Sequence, residues 1–310
     1  MNLYEYLIDA FNQAPVLIQI GFLIVLALII CIITLIISLR AIRSYLNIKG
    51  KEIIKNKKEF EALVVEYLYS GTGFDELSEK QLAIITRIKD AIISTSKRKS
   101  VITILSNLMN EVSGEMSDSI KTLYHKIGLI TYATQRLESK KWHIVAKAIV
   151  ELRRFKVYET QDKVATFLNH PRKEIRKEAQ LYSVHLFKFN GLSFLDDLET
   201  PLSEWHQLLL LEALLNLENQ KICDITPWLK SSNTSVVLFA LKLVKIYTQF
   251  ETKETLIELL SHPEKEVRVY TLKVLKELFG YEAEESLIEN TSTSDLRIDA
   301  EMSLLNLVKN

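Results

Sequence analysis

Only eight glycines and five prolines punctuate this 310-residue chain. An all-β fold needs a turn every few residues, so their scarcity points to helices. Two cysteines occur, Cys31 inside an apolar run and Cys223 far along the chain. That excludes a disulfide framework and fits a reducing compartment. An excess of charge is absent as well, with 39 Lys and Arg against 39 Asp and Glu. At 48% hydrophobic and 25% charged, the chain is nevertheless too apolar to be disordered.

Charge is missing altogether from 15–39, which reads PVLIQIGFLIVLALIICIITLIISL. A helix of this length spans about 37 Å at ~1.5 Å per residue. The hydrocarbon core of a bilayer is about 30 Å thick, so the segment is expected to cross it once, with some tilt. A cleavable leader would carry a basic flank, a shorter apolar core and a small-residue cleavage site. Here the flank is acidic and Arg40 follows the run directly.

The zero net charge hides a segregation. Residues 1–14 carry Glu5 and Asp9 and no cation, whereas 40–58 carry Arg40, Arg43, Lys49, Lys51, Lys55, Lys57 and Lys58 against Glu52 alone. Cations close to a span face the cytoplasm. The expected topology is an extracytoplasmic tail at 1–14, a transmembrane helix at 15–39 and a cytoplasmic remainder. The basic stretch at 40–58 is then a juxtamembrane helix against anionic headgroups. The part beyond it, 59–310, sums to −4. That argues against nucleic acid as a partner, because phosphate contacts need clustered cations.

Residues 59–138 read as a helical connector. Gly50 is a weak point in the helix leading into it, and the loop Ser70-Gly71-Thr72-Gly73 lacks the Gly-Lys-Ser/Thr of a phosphate-binding loop. Ser78 is placed as the N-cap of a helix to about Ser94, with Leu82, Ile85, Ile88 and Ile92 on its buried face. Two more helices are expected near 100–112 and 117–138.

From residue 139 a period emerges. Ile175, Trp205, Val236, Val267 and Leu296 recur at spacings of 30, 31, 31 and 29, each followed four residues on by Ala179, Leu209, Ala240, Thr271 or Ala300. Two preceding turns nearly match: Asn169-His170-Pro171-Arg172-Lys173-Glu174-Ile175-Arg176 and Ser261-His262-Pro263-Glu264-Lys265-Glu266-Val267-Arg268. A fixed period near 30 marks stacked two-helix units that bury their apolar faces on each other. These residues resemble HEAT repeats, in particular the short HEAT-like kind found in phycobilisome-lyase-type proteins. The resemblance covers 139–310. It implies an α-α superhelical solenoid, so that with the apolar run the expected fold is all-α, a single transmembrane helix followed by that solenoid. It also implies that the second helices of the units (159–168, 192–198, 219–229, 253–260 and 283–290) line a concave binding face. Asp196, Asp197, Asp224, Glu254, Glu258, Glu284 and Glu285 would make that face acidic and suited to a basic or mixed-charge protein segment. In such folds the arginine of each turn pairs with a neighbouring acid, so Arg176, Arg268 and Arg297 are expected to form a ladder with Glu174, Glu266 and Asp295.

Catalytic, metal and cofactor signatures are lacking. No HExxH, CxxC or His-Glu dipeptide occurs. The His-Glu pairs matter because HEAT-repeat di-iron hydroxylases depend on them. His170 and His262 stand at equivalent turns before proline, and His143 and His206 follow Trp142 and Trp205, positions that suit structure better than chemistry. The resulting expectation is a non-enzymatic, membrane-anchored scaffold that binds a protein partner. One setting is an accessory subunit of an envelope complex for polysaccharide synthesis or secretion. A lyase- or chaperone-like activity of the phycobilin lyase type is the alternative.

Overall fold

The computed structural model describes residues 15–71, 77–215 and 222–280. Every regular element among them is helical. The tail at 1–14, Leu296, Arg297, Ala300, Asp295, Glu284, Glu285 and the helix expected at 283–290 lie outside the described residues. The chain divides into two compact units, 1–112 and 113–310.

The first unit is dominated by α1, Val16–Tyr69, one helix of 54 residues. Pro15 occupies its N-cap, where a missing N–H costs nothing. The helix passes through Gly50 without a break. Its apolar first half is uncovered: none of the most apolar window is buried, and Ile18, Leu28 and Ile37 are all more than half exposed. Thr34 donates to Cys31 O at 2.8 Å, so this hydroxyl is satisfied within its own helix. One helix near the N-terminus is thus long and apolar enough to cross a membrane.

Burial begins at Asn56. Phe60, Leu63, Val64 and Tyr67, spaced three and four apart, form a stripe on α1 that packs against α2 (Glu79–Ala91) and α3 (Thr95–Glu111). Ser78 caps α2 as expected. Its hydroxyl accepts from Gln81 N at 3.2 Å, and Gln81 Oε1 accepts from Ser78 N at 3.0 Å. Gln81 also donates to Tyr67 O at 3.1 Å, satisfying a carbonyl in the last turn of α1. The buried face of α2 runs through Ile84, Ile85, Ile88 and Ile92, while Leu82 is half exposed, which corrects its expected place. Gln81, held inward by these bonds, takes the position Leu82 was expected to fill.

The second unit opens with α4 (Glu115–Lys126) and α5 (Leu129–Leu137), two helices where the pattern predicted one. Gly128 separates them in a left-handed conformation, φ 81°, which ends a helix readily at glycine. Then come α6 (Trp142–Arg154), α7 (Gln161–Ala165), α8 (Lys173–Phe187) and a 3₁₀ stretch, Lys188–Leu195. They are followed by α9 (Glu204–Leu215), α10 (Thr226–Leu229), α11 (Thr234–Tyr247), α12 (Lys253–Leu259) and α13 (Lys265–Phe279). Long helices alternate with short ones. The long helices pack on one another in the order α5, α6, α8, α9, and α11 packs on α13; the short α10 packs on α12.

Glu151 ties the start of this unit together. Its buried carboxylate accepts from Tyr124 Oη at 2.8 Å and pairs with Arg136. Tyr124 stacks on Phe155 with ring centroids 4.0 Å apart. Burial, then the adjacent carboxylate, pushes the Tyr124 hydroxyl above the usual phenol range, so it stays a donor.

Positive φ occurs at Lys156, two residues past the end of α6, and at the C-caps of α8, α11 and α13: Lys188, Thr248 and Gly280. Only the last is glycine. Lys188 (φ 62°, ψ −130°) adopts almost the same conformation as Gly280 (φ 59°, ψ −138°), a region a side chain enters only under strain. Three residues on, Gly191 lies so close to α8 that an added Cβ would sit 2.2 Å from Ser183 O. The two positions therefore make opposite predictions. Lys188→Gly should raise stability by about 1 kcal/mol through relief of backbone strain. Gly191→Ala should lower it by about 2–3 kcal/mol through overpacking. Denaturant unfolding of the purified chain reads both signs.

Candidate functional site

Among the described residues, the short elements expected to carry the acidic face are only one or two turns long, and the five described acids have different surroundings. Asp196 follows the 3₁₀ stretch, and its Oδ1 accepts from Trp228 Nε1 at 2.6 Å. Asp224 caps the turn before α10: its Oδ1 accepts from Thr226 N at 2.9 Å, and hydrogen bonds from Thr226 hold its carboxyl below the usual range. Glu258 pairs with Lys230 at 3.0 Å. Asp197 and Glu254 are exposed. Of the five acids, only Asp196 and Asp197 line a common cleft, of 740 Å³, where Glu199 and Glu266 join them. Glu199 was missed as a candidate because it stands in a loop. Glu266 was assigned to an arginine ladder instead.

Asn233 and Ser235 build the wall of this cleft. Asn233, the N-cap of α11, donates through Nδ2 to Leu198 O at 2.7 Å and Thr200 O at 3.1 Å. Its Oδ1 accepts from Ser235 N at 3.1 Å. Ser235 Oγ in turn accepts from Leu202 N at 2.8 Å, and Gln207 Nε2 donates to Leu202 O at 3.0 Å. These side chains satisfy the backbone of the irregular segment 198–202, which no helix or sheet could do.

A second cleft, of 380 Å³, shares Leu198 and Pro201 with the first and has the opposite charge. Lys173, Arg176 and Lys177 line it against the single carboxylate of Glu174, together with Trp205 and His206, so its balance is basic. Trp205 is 66% exposed, in contrast to Ile175, Val236 and Val267, which are buried at the aligned positions. On α9 the inward places go to His206, Gln207, Leu210 and Leu214, so the repeat register there is shifted by one to two residues. Burial, then the nearby Lys177 and Arg176, pushes His206 down to about 4, and it stays neutral.

Among the described residues, Arg176 and Arg268 donate to the turns that precede their own helices, while Arg297 and Asp295 lie outside the described residues. Arg176 Nη1 donates to His170 O at 2.6 Å and Pro171 O at 3.3 Å. Arg268 Nη1 donates to His262 O and Pro263 O, both at 2.8 Å. Each guanidinium folds back over the turn that precedes its own helix and caps carbonyls left without a helical donor. Glu174 pairs with Arg172 at 3.2 Å. The paired histidines complete the motif: His170 Nδ1 accepts from Arg172 N at 3.0 Å, and His262 Nδ1 from Glu264 N at 3.1 Å. Both histidines are turn-forming. Arg172 also covers the Trp142 ring, 4.3 Å from its centroid. Among the described residues, no three His, Cys, Asp or Glu side chains gather as metal ligands.

No family model matches the chain. No curated protein matches it either. Among solved structures, one described as the crystal structure of an engineered protein aligns at 14% identity with a TM-score of 0.26, covering 73% of this chain and 96% of that one.

The geometry separates two neighbouring aspartates by role. Asp196→Ala removes the acceptor of a buried indole N–H and should cost about 1–2 kcal/mol. Asp197→Ala removes only an exposed charge and should stay within about 0.5 kcal/mol. Unfolding followed by tryptophan fluorescence distinguishes them.

Proposed function

We propose that this chain is a membrane-anchored scaffold. In this reading α1 spans the bilayer once, the cations at 40–58 hold the C-terminal side in the cytoplasm, and residues 139–310 form a HEAT-like solenoid that binds a protein segment. The observation that carries the reading is the uncovered apolar half of α1, joined without a break to a stripe that packs into a folded unit. The adjoining acidic and basic clefts favour a mixed-charge segment as the occupant, its cations against Asp197 and Glu199 and its anions against Lys173 and Lys177. Trp205, exposed beside the basic cleft, offers a large apolar contact of the kind that anchors interfaces.

The test uses sealed inside-out membrane vesicles. Protease added from outside should digest the C-terminal side, and right-side-out vesicles should protect it. From solubilised membranes, partners cross-linked to the wild-type chain should be lost on Asp197→Lys with Glu199→Lys, and on Trp205→Ala. None of these three side chains has a structural hydrogen bond in the clefts described above. Retention of every cross-linked protein by both variants would refute binding at the clefts.

A further inference from the structure

A groove of 510 Å³ runs between α1 and α3 within the first unit. Lys49, Ile53 and Lys57, one helical turn apart, form one wall. Lys99 stands on the other with Thr95, Ser96, Ser100 and Thr103. Three ammonium groups from two helices therefore face one cavity, and no carboxylate lines it. Beyond the lining, Glu61 pairs with Lys57 at 3.4 Å, where both side chains are about half exposed. A pair so exposed holds Lys57 only weakly. Ser100 and Thr103 donate to Ser96 O and Lys99 O of their own helix and present oxygen to the groove. Thr95 and Ser96 belong to the first turn of α3, which has no acidic side chain and no side-chain cap from Ser94. Three cations lining one groove, with no carboxylate in the lining and one exposed ion pair at its edge, call for an anion.

The position of the groove on α1 says which anion. Tyr45 is exposed, and the Lys49 ammonium lies 5.6 Å from its ring centroid. A tyrosine just beyond an apolar span marks the headgroup level. Lys49 lies one turn past it, about 6 Å along the axis, and Lys57 about 12 Å further. The groove therefore opens at the membrane surface and extends away from it. We propose that it binds the phosphate-bearing headgroup of an anionic phospholipid, with Lys49, Lys57 and Lys99 neutralising the phosphate charge and Thr95 and Ser96 donating to its oxygens. With three ammonium groups, it should prefer a headgroup that carries two phosphates to one that carries a single phosphate.

This inference rests on α1 lying in the membrane, and the two claims fail separately. The whole chain in detergent, at physiological salt, is titrated with cardiolipin and phosphatidylglycerol, and lipid-bound protein is counted by native mass spectrometry. Cardiolipin should bind more tightly. The triple variant Lys49→Gln, Lys57→Gln, Lys99→Gln should weaken it roughly 100-fold, since each cation near the headgroups contributes about a factor of five. The matched triple Lys51→Gln, Lys55→Gln, Lys58→Gln removes the same charge from the same region of α1 outside the groove. It should weaken binding less than about threefold, because exposed charges away from the site are screened. Ser96→Asp, which places a negative charge inside the groove, should abolish binding without removing any lysine. Equal losses in the two triple variants would overturn the groove in favour of diffuse attraction. Inorganic pyrophosphate binding as tightly as cardiolipin would overturn the lipid as its occupant. Release of the chain from membranes without detergent would instead overturn the anchor.

Discussion

The uncovered apolar surface of α1 is the constraint on which the rest depends. Between Val16 and Leu39 the large apolar side chains with described surroundings are roughly half exposed or more, on every side of the helix. Leaving each in water forfeits about 1.5–3 kcal/mol of burial, so the segment as a whole forfeits tens of kcal/mol. A folded domain has only about 5–15 kcal/mol of net stability. An environment as apolar as the side chains, such as a bilayer interior, would remove that cost. Within lipid a helix also satisfies its own backbone, as the Thr34 hydroxyl does locally. The same helix then changes its surroundings: from Asn56 onward it carries one buried stripe, and most of its remaining residues are exposed.

What was legible in the sequence follows from how local each feature is. The apolar run, the Ser78 cap with Gln81 three residues on, and the twin His-Pro turns are set by residues within one or two turns of each other, and the structure has them all. The helix through Gly50 was doubtful from propensity alone. A single glycine costs a helix about 1 kcal/mol, which the packing of Phe60 to Tyr67 overrides. The break at Gly128 was missed because the apolar pattern runs on across it, and only the left-handed backbone shows the stop.

Features that depend on contacts between segments distant in the chain were out of reach. Asn233 and Ser235 look like loop residues in sequence, yet they satisfy the segment 198–202, more than thirty residues away. The outward turn of Trp205 could not be read from a spacing of 30, because a shift of one or two residues moves a helical position from the core to the surface. The acidic set followed a resemblance rather than geometry. Of its five described members, two meet in a cleft, and two others are engaged locally, by Thr226 and Lys230. Charge at the site is instead divided between adjoining clefts of opposite sign, a pattern that selects a partner by its order of charges.

A spin-label scan along α1 in a reconstituted bilayer tests the central claim most directly, comparing collision with oxygen, which partitions into lipid, and with a water-soluble nickel complex. The account predicts high oxygen and low nickel accessibility on all faces of 18–39, a crossover between Arg40 and Lys49, and a 3.6-residue period of protection over 56–67. A 3.6-residue period already present within 18–39 would mean that protein covers one face there. Nickel accessibility over that stretch would mean that water does. Either result contradicts the anchor.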